Sequence, residues 1–260
     1  MSVYILHDRS VIHDHLKADL EAQIFCVGDL DDFFWPHTIW FAWKEMGAIR
    51  AIALLYVGME VPTLLLFQGA DARAADRLLA GIKAMLPRRI NVHLSPGLVE
   101  HFGKEHVLAD HGRSHKMILR GPVNDPGDSR IRRLTPADLP ALRALFAVAY
   151  PHNWFDERML RTGRYFGLFS EGDLVGAAGV HVYSEAYKVA ALGNITTHPE
   201  HRRQGIASKL TQALCHDLRG KVDVIGLNVR ANNVHAIQCY KRIGFEVIAD
   251  YDECYVENVP

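Results

Sequence analysis

The spacing of apolar residues changes midway along residues 190–218, and the change predicts a strand followed by a helix. Residues 192–197 are mostly aliphatic or β-branched, which is typical of a short buried strand. Pro199 ends this strand because proline has no N–H to donate to a sheet. From Gly205 onward, apolar residues recur at helical spacing on one face, namely Ile206, Leu210, Ala213, Leu214 and Leu218.

The same succession of elements occurs twice along the chain. In the first half, two strands, a helix and a third strand are predicted at residues 47–56, 61–67, 72–85 and 90–94. In the second half, the matching elements are predicted at residues 172–183, 192–197, 206–218 and 225–229. A short helix and a final pair of strands follow in each half, at 97–102, 107 and 115–119, and at 233–243, 245–248 and 253–256. The repeat predicts two tandem copies of one mixed α/β fold.

A linker divides the two copies. Residues 121–129 are dense in turn formers and lack large apolar side chains. We therefore predict one domain over residues 1–122 and a second over residues 130–260. Thr135, followed by Pro136 and Asp138, is a typical helix start and predicts a helix over residues 139–148.

Composition excludes several classes of partner. The chain has 49% hydrophobic and 23% charged residues and a formal net charge of −1, which argues against nucleic acid or a membrane surface as an electrostatic partner. No apolar run approaches the ~18 residues of a membrane span. The four cysteines lack Cys-x-x-Cys spacing, so we expect reduced thiols in a cytoplasmic protein.

The 15 histidines do not predict a metal site. The closest pairs are His13 with His15 and His111 with His115, and neither has cysteines or carboxylates at ligand spacing. We expect these histidines to lie at the surface or in local hydrogen bonds.

The turn between the predicted strand and helix has the features of a phosphate site. The first turn of a helix offers N–H groups without intrahelical partners and the positive end of the helix dipole. Arg202 and Arg203 add two cations, while Gly205 and Ala207 keep side-chain bulk away from the backbone. Together these features predict a diphosphate-bearing ligand.

Two common phosphate motifs do not fit this turn, and a third does. Gly205-Ile206-Ala207 lacks the Gly-Lys-Ser/Thr end of a P-loop, and the turn has one glycine where the Rossmann fingerprint needs three. The segment Arg202-Arg203-Gln204-Gly205-Ile206-Ala207 resembles the coenzyme A pyrophosphate loop of the GNAT N-acetyltransferase superfamily, whose pattern is Arg/Gln-x-x-Gly-x-Gly/Ala.

A second segment carries the same resemblance. Residues 233–245 are similar to the family pattern Asn-x-x-Ala-x-x-x-Tyr-x-x-x-Gly-Phe. Asn233 and Tyr240 are about two helical turns apart and so share one helix face. A tyrosine at this spacing is often a core residue with a tethered hydroxyl. Because it follows the arginine loop, we favour a catalytic role for Tyr240.

The resemblance implies where acetyl-CoA, the acyl donor, would bind. Two neighbouring strands splay apart in the family, and the pantetheine arm pairs with the free backbone of the first, here Ile195, Thr196 and Thr197. The diphosphate would contact the loop and helix start, comprising Arg202, Arg203, Gln204, Gly205, Ile206, Ala207 and Ser208. Asn233 would hydrogen-bond the CoA arm. No metal is implied.

The resemblance also implies direct transfer, in which a neutral amine attacks the acetyl carbonyl and Tyr240 protonates the departing sulfur. Glu185, His181 and Tyr183 are candidates for the base that takes the amine proton. Cys239 is one residue from Tyr240, about 100° away around the helix, so we expect a buried core thiol. The aromatic and acidic segment 150–157 would lie near the acceptor.

The first copy lacks this chemistry. Its corresponding segment, residues 68–73, has Asp71 near the helix start, which suits a cap but repels a phosphate. Residues 95–102 keep neither an asparagine nor a tyrosine at the matching places. We therefore expect a degenerate N-terminal domain with a structural or substrate-shaping role.

The sequence thus predicts a tandem GNAT-like N-acetyltransferase acting on a primary amine of an unidentified, small-molecule acceptor. The alternative is a non-catalytic module that binds acetyl-CoA. A longer acyl donor also stays open, because Ala177, Ala178 and Gly179 near the cleft are small. Two fused copies can replace a dimer, so we expect a monomer and leave a dimer open.

Overall fold

The computed structural model describes residues 2–69, 71–151 and 153–259, and within them twelve β-strands and six α-helices. The strands are β1 (Ser2–Leu6), β2 (Thr38–Glu45), β3 (Ala48–Tyr56), β4 (Thr63–Leu66), β5 (Arg89–Leu94), β6 (Val107–Leu119), β7 (Ile131–Arg133), β8 (Phe166–Ser170), β9 (Asp173–Ser184), β10 (Val189–Thr197), β11 (Val224–Arg230) and β12 (Phe245–Glu257). The helices are α1 (Arg9–Leu16), α2 (Ile24–Gly28), α3 (Ala72–Ile82), α4 (Leu139–Ala149), α5 (Ile206–Leu218) and α6 (Val234–Ile243). Ala70 and His152, which belong to the predicted segments 68–73 and 150–157, lie outside the described residues.

The chain forms two compact units, each assembled from more than one stretch of the sequence. The first comprises the described residues of Met1–Lys116, Val229–Asn233 and Val247–Pro260, and the second those of Met117–Asn228 and Val234–Glu246. The boundary between Lys116 and Met117 lies near the predicted linker, residues 121–129. The end of the chain differs from the predicted range 130–260, because β12 pairs antiparallel with β5 from Asp252–Leu94 to Glu257–Arg89 and so completes the sheet of the first unit.

In the first unit the strand order is β1-β2-β3-β4-β5-β12-β6. Strands β2, β3 and β4 form an antiparallel meander, α3 follows β4, and β5 returns parallel to β4. The apolar face of α3 packs on this sheet, and the resulting core includes Leu64, Leu78, Val92 and Val256, all fully buried. Each such side chain contributes about 1.5–3 kcal/mol to folding.

The second unit repeats this topology with β11-β10-β9-β8-β7. Strands β8, β9 and β10 form the antiparallel meander, α5 follows β10, and β11 lies parallel to β10. The α5 helix packs against β9 and β10 closely enough that a Cβ on Gly176 would lie 2.5 Å from Ile206 Cγ2. The predicted mixed α/β repeat is confirmed at the level of element order.

The predicted helices at α3, α4, α5 and α6 are confirmed, whereas the predicted helix at 97–102 is a short 3₁₀ helix over Leu98–Phe102. The predicted helix 206–218 is α5, and Thr135 and Asp138 form a capping box in the turn that precedes α4. Within α5, the predicted apolar face is incomplete, because Thr211 and Cys215 are fully buried as well.

The two predicted final strand pairs are wrong, since β6 and β12 are each one continuous strand. The polar residues between the predicted strands belong to these continuous strands. In the structure these residues pair across the sheet: Arg113 Nε donates to Asp252 at 3.1 Å, and the His115 ring hydrogen-bonds Asp250 at 2.7 Å. These cross-strand pairs accommodate charge inside a strand.

Candidate functional site

The parallel ladder between β10 and β11 ends before β10 does. It pairs Val189–Leu192 with Val224–Leu227, whereas within the described residues of the second unit, residues 193–197 continue beside β9 alone. Thr196 pairs with Ala177, and the His198 N–H donates to Val175 O at 2.8 Å. Because backbone groups alternate along a strand, those of Ile195 and Thr197 point away from β9, toward the side where the ladder with β11 has ended.

A bulge at Asn194 shapes this free edge. Asn194 has a φ of 53°, a left-handed conformation that asparagine tolerates better than most residues, and the register shifts between Gly193 and Thr196. Its side-chain amide donates to the Tyr165 hydroxyl at 2.9 Å and to Trp154 O at 3.3 Å. The Tyr165 hydroxyl in turn donates to Val180 O at 3.1 Å. The bulge is therefore held by hydrogen bonds from both sides.

Several buried polar atoms of the second unit lie on or beside this edge. Within the described residues, the following have no hydrogen-bond partner: Asn194 Oδ1, Thr197 Oγ1, His198 Nδ1 and Asn228 Oδ1. Asn228 directly follows Leu227, where the ladder stops. A buried polar atom left without a partner costs about 1–3 kcal/mol. A polar ligand lying along β10 would remove this cost, so the edge fits an extended amide-containing arm.

The turn after β10 is exposed and positively charged. Residues 202–205 are exposed, and Arg203 and Gly205 have φ angles of 64° and 77°. Among the described residues, no carboxylate forms an ion pair with Arg202 or Arg203. Lys209, one turn into the helix, pairs with Asp128 at 2.9 Å. The two guanidinium groups thus remain available to an anion.

The start of α5 is open. Gly205 is the N-cap and offers no side-chain hydrogen bond, and a Cβ placed on it would meet nothing within 4 Å. The first-turn N–H groups of Ile206, Ala207 and Ser208 lack intrahelical acceptors by helix geometry. The Ile206 side chain itself is buried, and the Ser208 hydroxyl hydrogen-bonds the Cys239 thiol. An anion at this helix start would therefore contact the backbone N–H groups of Ile206 and Ala207.

Tyr240 lies on α6 in the same unit and is buried, at 8% exposure. Burial raises the pKa of its phenol above the ordinary value, with smaller contributions from Cys239 and Tyr150. The hydroxyl is therefore protonated at neutral pH and is a hydrogen-bond donor. Burial also raises the pKa of the Cys239 thiol, which disfavours a thiolate nucleophile there.

Asn233 is separated from the other predicted ligands by the division into units. It directly precedes α6 but belongs to the first unit, where its N–H donates to Arg230 O at 2.9 Å. The remaining predicted residues, from Ile195 to Ser208 and Tyr240, lie together in the second unit.

The three candidate bases occupy different surroundings. The Tyr183 hydroxyl donates to Glu185 at 3.0 Å and accepts from Arg164 at 3.2 Å, and Arg164 also pairs with Asp217 at 2.8 Å. His181 instead stacks on Trp154, with ring centroids 5.4 Å apart. Of the three, His181 is the one that stacks on Trp154, whose carbonyl also accepts a hydrogen bond from Asn194.

Sequence reasoning missed Asn194 and Asn228. Each follows a run of apolar residues within its strand, which is visible in the sequence. An asparagine at such a place does not by itself distinguish a bulge from a solvent-facing position. Within the described ranges, no cluster of three or more His, Cys, Asp or Glu side chains is arranged to hold a metal ion.

Comparisons with known proteins identify the family of this chain. Residues 131–245 match the acetyltransferase (GNAT) family. Over 120 residues the chain is 31% identical to the ribosomal protein bS18-alanine N-acetyltransferase of Escherichia coli strain K12, an alignment covering 44% of this chain and 79% of that protein.

Solved structures are similar in fold over the whole chain. A GCN5-related N-acetyltransferase from Sphaerobacter thermophilus matches 99% of this chain and 96% of its own, with a TM-score of 0.62 and 15% identity. A tandem GNAT protein from the clavulanic acid biosynthesis pathway matches 100% of this chain and 99% of its own, with a TM-score of 0.58 and 16% identity. Among the described residues, no helix combines the length and apolar character needed to cross a bilayer.

Proposed function

This chain belongs to the acetyltransferase (GNAT) family, and we propose that its second unit transfers an acetyl group from acetyl-CoA to the primary amine of a small molecule. Members of this family act on acetyl-CoA and an amine acceptor. One observation carries the proposal: β10 continues past its ladder with β11 and leads into an exposed arginine turn at the start of α5.

The donor is proposed to lie along β10. Ile195 and Thr197 offer backbone groups to its amide-containing arm, as an added strand would, while Thr196 holds the edge to β9. Arg202, Arg203 and the amides of Gly205, Ile206 and Ala207 receive the diphosphate. Gln204 and Ser208 complete the proposed binding set of the second unit. Bound acetyl-CoA supplies the acetyl group as an activated thioester.

Tyr240 is proposed to act on the sulfur. As the amine attacks, backbone N–H groups at the end of the ladder polarise the carbonyl oxygen, and negative charge then develops on the departing sulfur. A phenol whose pKa is raised by burial is a weak acid but a good hydrogen-bond donor. Tyr240 therefore stabilises the thiolate by donating a hydrogen bond. The sulfur then takes the phenol proton and leaves as a neutral thiol.

The first unit is proposed to bind no acetyl-CoA, since Asp71 caps α3 where Gly205 opens α5. The cysteines are free and three of the four are buried, which fits a reducing compartment, and we propose a cytoplasmic location.

Two other activities compete with this proposal. The relative from Escherichia coli is named for an alanine of ribosomal protein bS18, so the α-amine of a polypeptide is a second candidate acceptor. A module that binds acetyl-CoA without transfer is the non-catalytic alternative.

A thiol-release assay separates these activities. The full chain is incubated with acetyl-CoA and, in parallel, with phenethylamine, spermidine or a hexapeptide that begins with alanine, and free CoA is measured with a thiol reagent. Release that depends on a small amine supports the proposal, whereas release with the peptide alone supports the second acceptor. Binding of acetyl-CoA without release in any arm contradicts the transferase and favours the non-catalytic module.

A further inference from the structure

His181 lies in a bulge of β9 at the level where β10 leaves β11. The register of β9 against β10 steps from Val182–Ala191 to Val180–Leu192, so His181 is the residue that the bulge adds. Leu192 is also the last residue of β10 in the ladder with β11. The bulge and the end of the parallel ladder therefore coincide.

The imidazole lies directly against Gly193. A Cβ placed on Gly193 would be 1.2 Å from His181 Cδ2 and 1.8 Å from Nε2, so the ring occupies the space that any other side chain would fill. Gly193 is the first residue of β10 beyond the ladder with β11. The Cδ2–Nε2 edge of the ring is thus held beside the first residue of the free edge.

The ring is also fixed from its other side. Trp154 stacks on it with an interplanar angle of 11°. The carbonyl of Trp154 accepts from Asn194, and Asn194 binds Tyr165, whose hydroxyl donates to Val180 beside the bulge. These contacts form one connected set around His181. Such a set orients a reacting group before the substrate arrives.

We propose that His181 is the proton acceptor of the acetyl transfer, held by the β9 bulge and by Trp154. The inference rests on the proposed function. It follows from position, because His181 adjoins the start of the free edge along which the donor is proposed to lie. Imidazole is the side chain best suited to accept a proton near neutral pH.

The step balances as follows. The amine nitrogen forms the N–C bond and gives its proton to His181, the C–S bond breaks, and the sulfur leaves beside Tyr240 and takes the phenol proton. The imidazolium then releases its proton to solvent, and Tyr240 regains one from solvent. The products are the amide and free CoA thiol, with no co-reactant consumed.

Three titratable groups near His181 have other hydrogen-bond partners. Asp156, on the segment of Trp154, accepts from the Arg158 guanidinium at 2.7 Å. Burial raises the pKa of Tyr165, so this phenol does not titrate near neutral pH. Tyr183, on the same strand, hydrogen-bonds Glu185 and Arg164. His198 also lies beside the free edge, so the difference between the pH profiles of the wild type and H181Q is what tests His181.

The test compares H181Q with H216Q, at an exposed histidine of α5, in the full chain, using the amine that gives thiol release with the wild type. H181Q is expected to lower kcat/KM about 100-fold near pH 7 and to remove the acidic limb of the pH profile, with the calorimetric Kd for acetyl-CoA within about twofold of wild type. H216Q is expected to keep both the rate and the profile.

A second variant keeps the test informative if H181Q folds poorly. W154F retains the imidazole but narrows the stacking surface, and a loss of about fivefold in kcat with unchanged KM for acetyl-CoA is expected. Wild-type rate and profile in H181Q would overturn the assignment while leaving the transferase intact. Absence of both acetyl-CoA binding and turnover in the wild type would instead overturn the proposed function itself.

Discussion

Each unit contains a pair of parallel strands at the same place in its topology, but the pair ends differently in the two units. In the first unit, β4 and β5 pair up to Leu66–Leu94. Two further hydrogen bonds connect the chain beyond the end of this ladder: Ser95 N–H donates to Leu66 O at 3.1 Å, and Gln68 N–H donates to the Ser95 hydroxyl at 2.7 Å. In the second unit, the ladder stops at Leu192–Leu227 and β10 runs on. One topology thus gives a closed pair and an open one.

The helices that follow these pairs differ in the same sense. Asp71 caps α3 by accepting from the Ala74 N–H at 3.0 Å, which brings a carboxylate to the helix start. The N-cap of α5 is Gly205, and the charges beside it are Arg202 and Arg203. Because anions are attracted to a helix N-terminus and repelled by a carboxylate there, only the second unit is suited to a phosphate.

Packed side chains fill the closed end in the first unit. Phe67 follows β4, and the Lys116 ammonium lies 2.9 Å from its ring centroid and donates to Ala22 O. Lys116 is 3% exposed. Hydrogen bonds and packed side chains thus close the end of the parallel pair in the first unit, whereas β10 runs on past its ladder in the second.

The largest expected effect concerns this buried lysine. Burial lowers the pKa of Lys116 to about 7, opposed by smaller contributions from Cys26 and Asp19. In the unfolded chain a lysine titrates near pH 10.4, so between about pH 7 and 10.4 the unfolded state holds a proton that the folded state lacks, and stability rises with pH. Below pH 7 the full cost of burying the charge is present.

Lys116→Met removes this cost. The variant is expected to be more stable than the wild type at pH 6, and the gain is expected to shrink by about 4–5 kcal/mol between pH 6 and 10.5. Urea unfolding at several pH values measures it. Lys104→Met, at an exposed lysine, serves as the control and should show no such trend. A gain that does not change with pH would contradict the buried charge.

The next effect is on rate. Tyr240→Phe removes the hydrogen bond to the departing sulfur and is expected to lower kcat about 100-fold, with the Kd for acetyl-CoA unchanged. Tyr255→Phe, in the first unit, is the matched control and should keep wild-type kcat. Equal rates in Tyr240→Phe and wild type would show that the phenol is a core residue.

A smaller effect concerns the seal of the closed pair. Ser95→Ala leaves the Gln68 N–H without its acceptor and is expected to lower the free energy of unfolding by about 1–2 kcal/mol. Acetyl-CoA binding should not change, since the loss lies in the first unit. Thermal unfolding beside the exposed Ser129→Ala variant measures this. A stability equal to that control would mean that the hydroxyl does not close the pair.

The smallest effects compare the two helix starts. Asp71→Ala removes a cap and is expected to cost about 1 kcal/mol. Gly205→Ala places a side chain at a φ of 77° and is expected to cost about 1–2 kcal/mol. Calorimetry with acetyl-CoA should separate them, because only Gly205→Ala also weakens binding. Weakened binding in both would mean that the helix starts are not independent.

Local features of the fold were predictable from sequence. The α5 helix follows from five apolar residues at helical spacing, and the capping box before α4 follows from Thr135 and Asp138. The arginine turn was found because its residues are contiguous. Each of these signals lies within a few residues of chain.

Features set by distant residues were not predictable. The continuity of β6 and β12 depends on pairs such as Arg113–Asp252, whose members are 139 residues apart. The bulge at Asn194 depends on Trp154 and Tyr165, and the end of the β10–β11 ladder is a property of two strands together. In both cases the local sequence does not identify the distant residues that are involved.

Isothermal titration of acetyl-CoA into the wild type, Arg203→Glu and Arg73→Glu tests the central claim most directly. Arg73 is the exposed arginine in the first turn of α3 and serves as the control in the first unit. The account predicts binding by the wild type and by Arg73→Glu, and a Kd raised at least about 30-fold in Arg203→Glu. Absence of wild-type binding, or a loss in Arg73→Glu with Arg203→Glu unaffected, would contradict it.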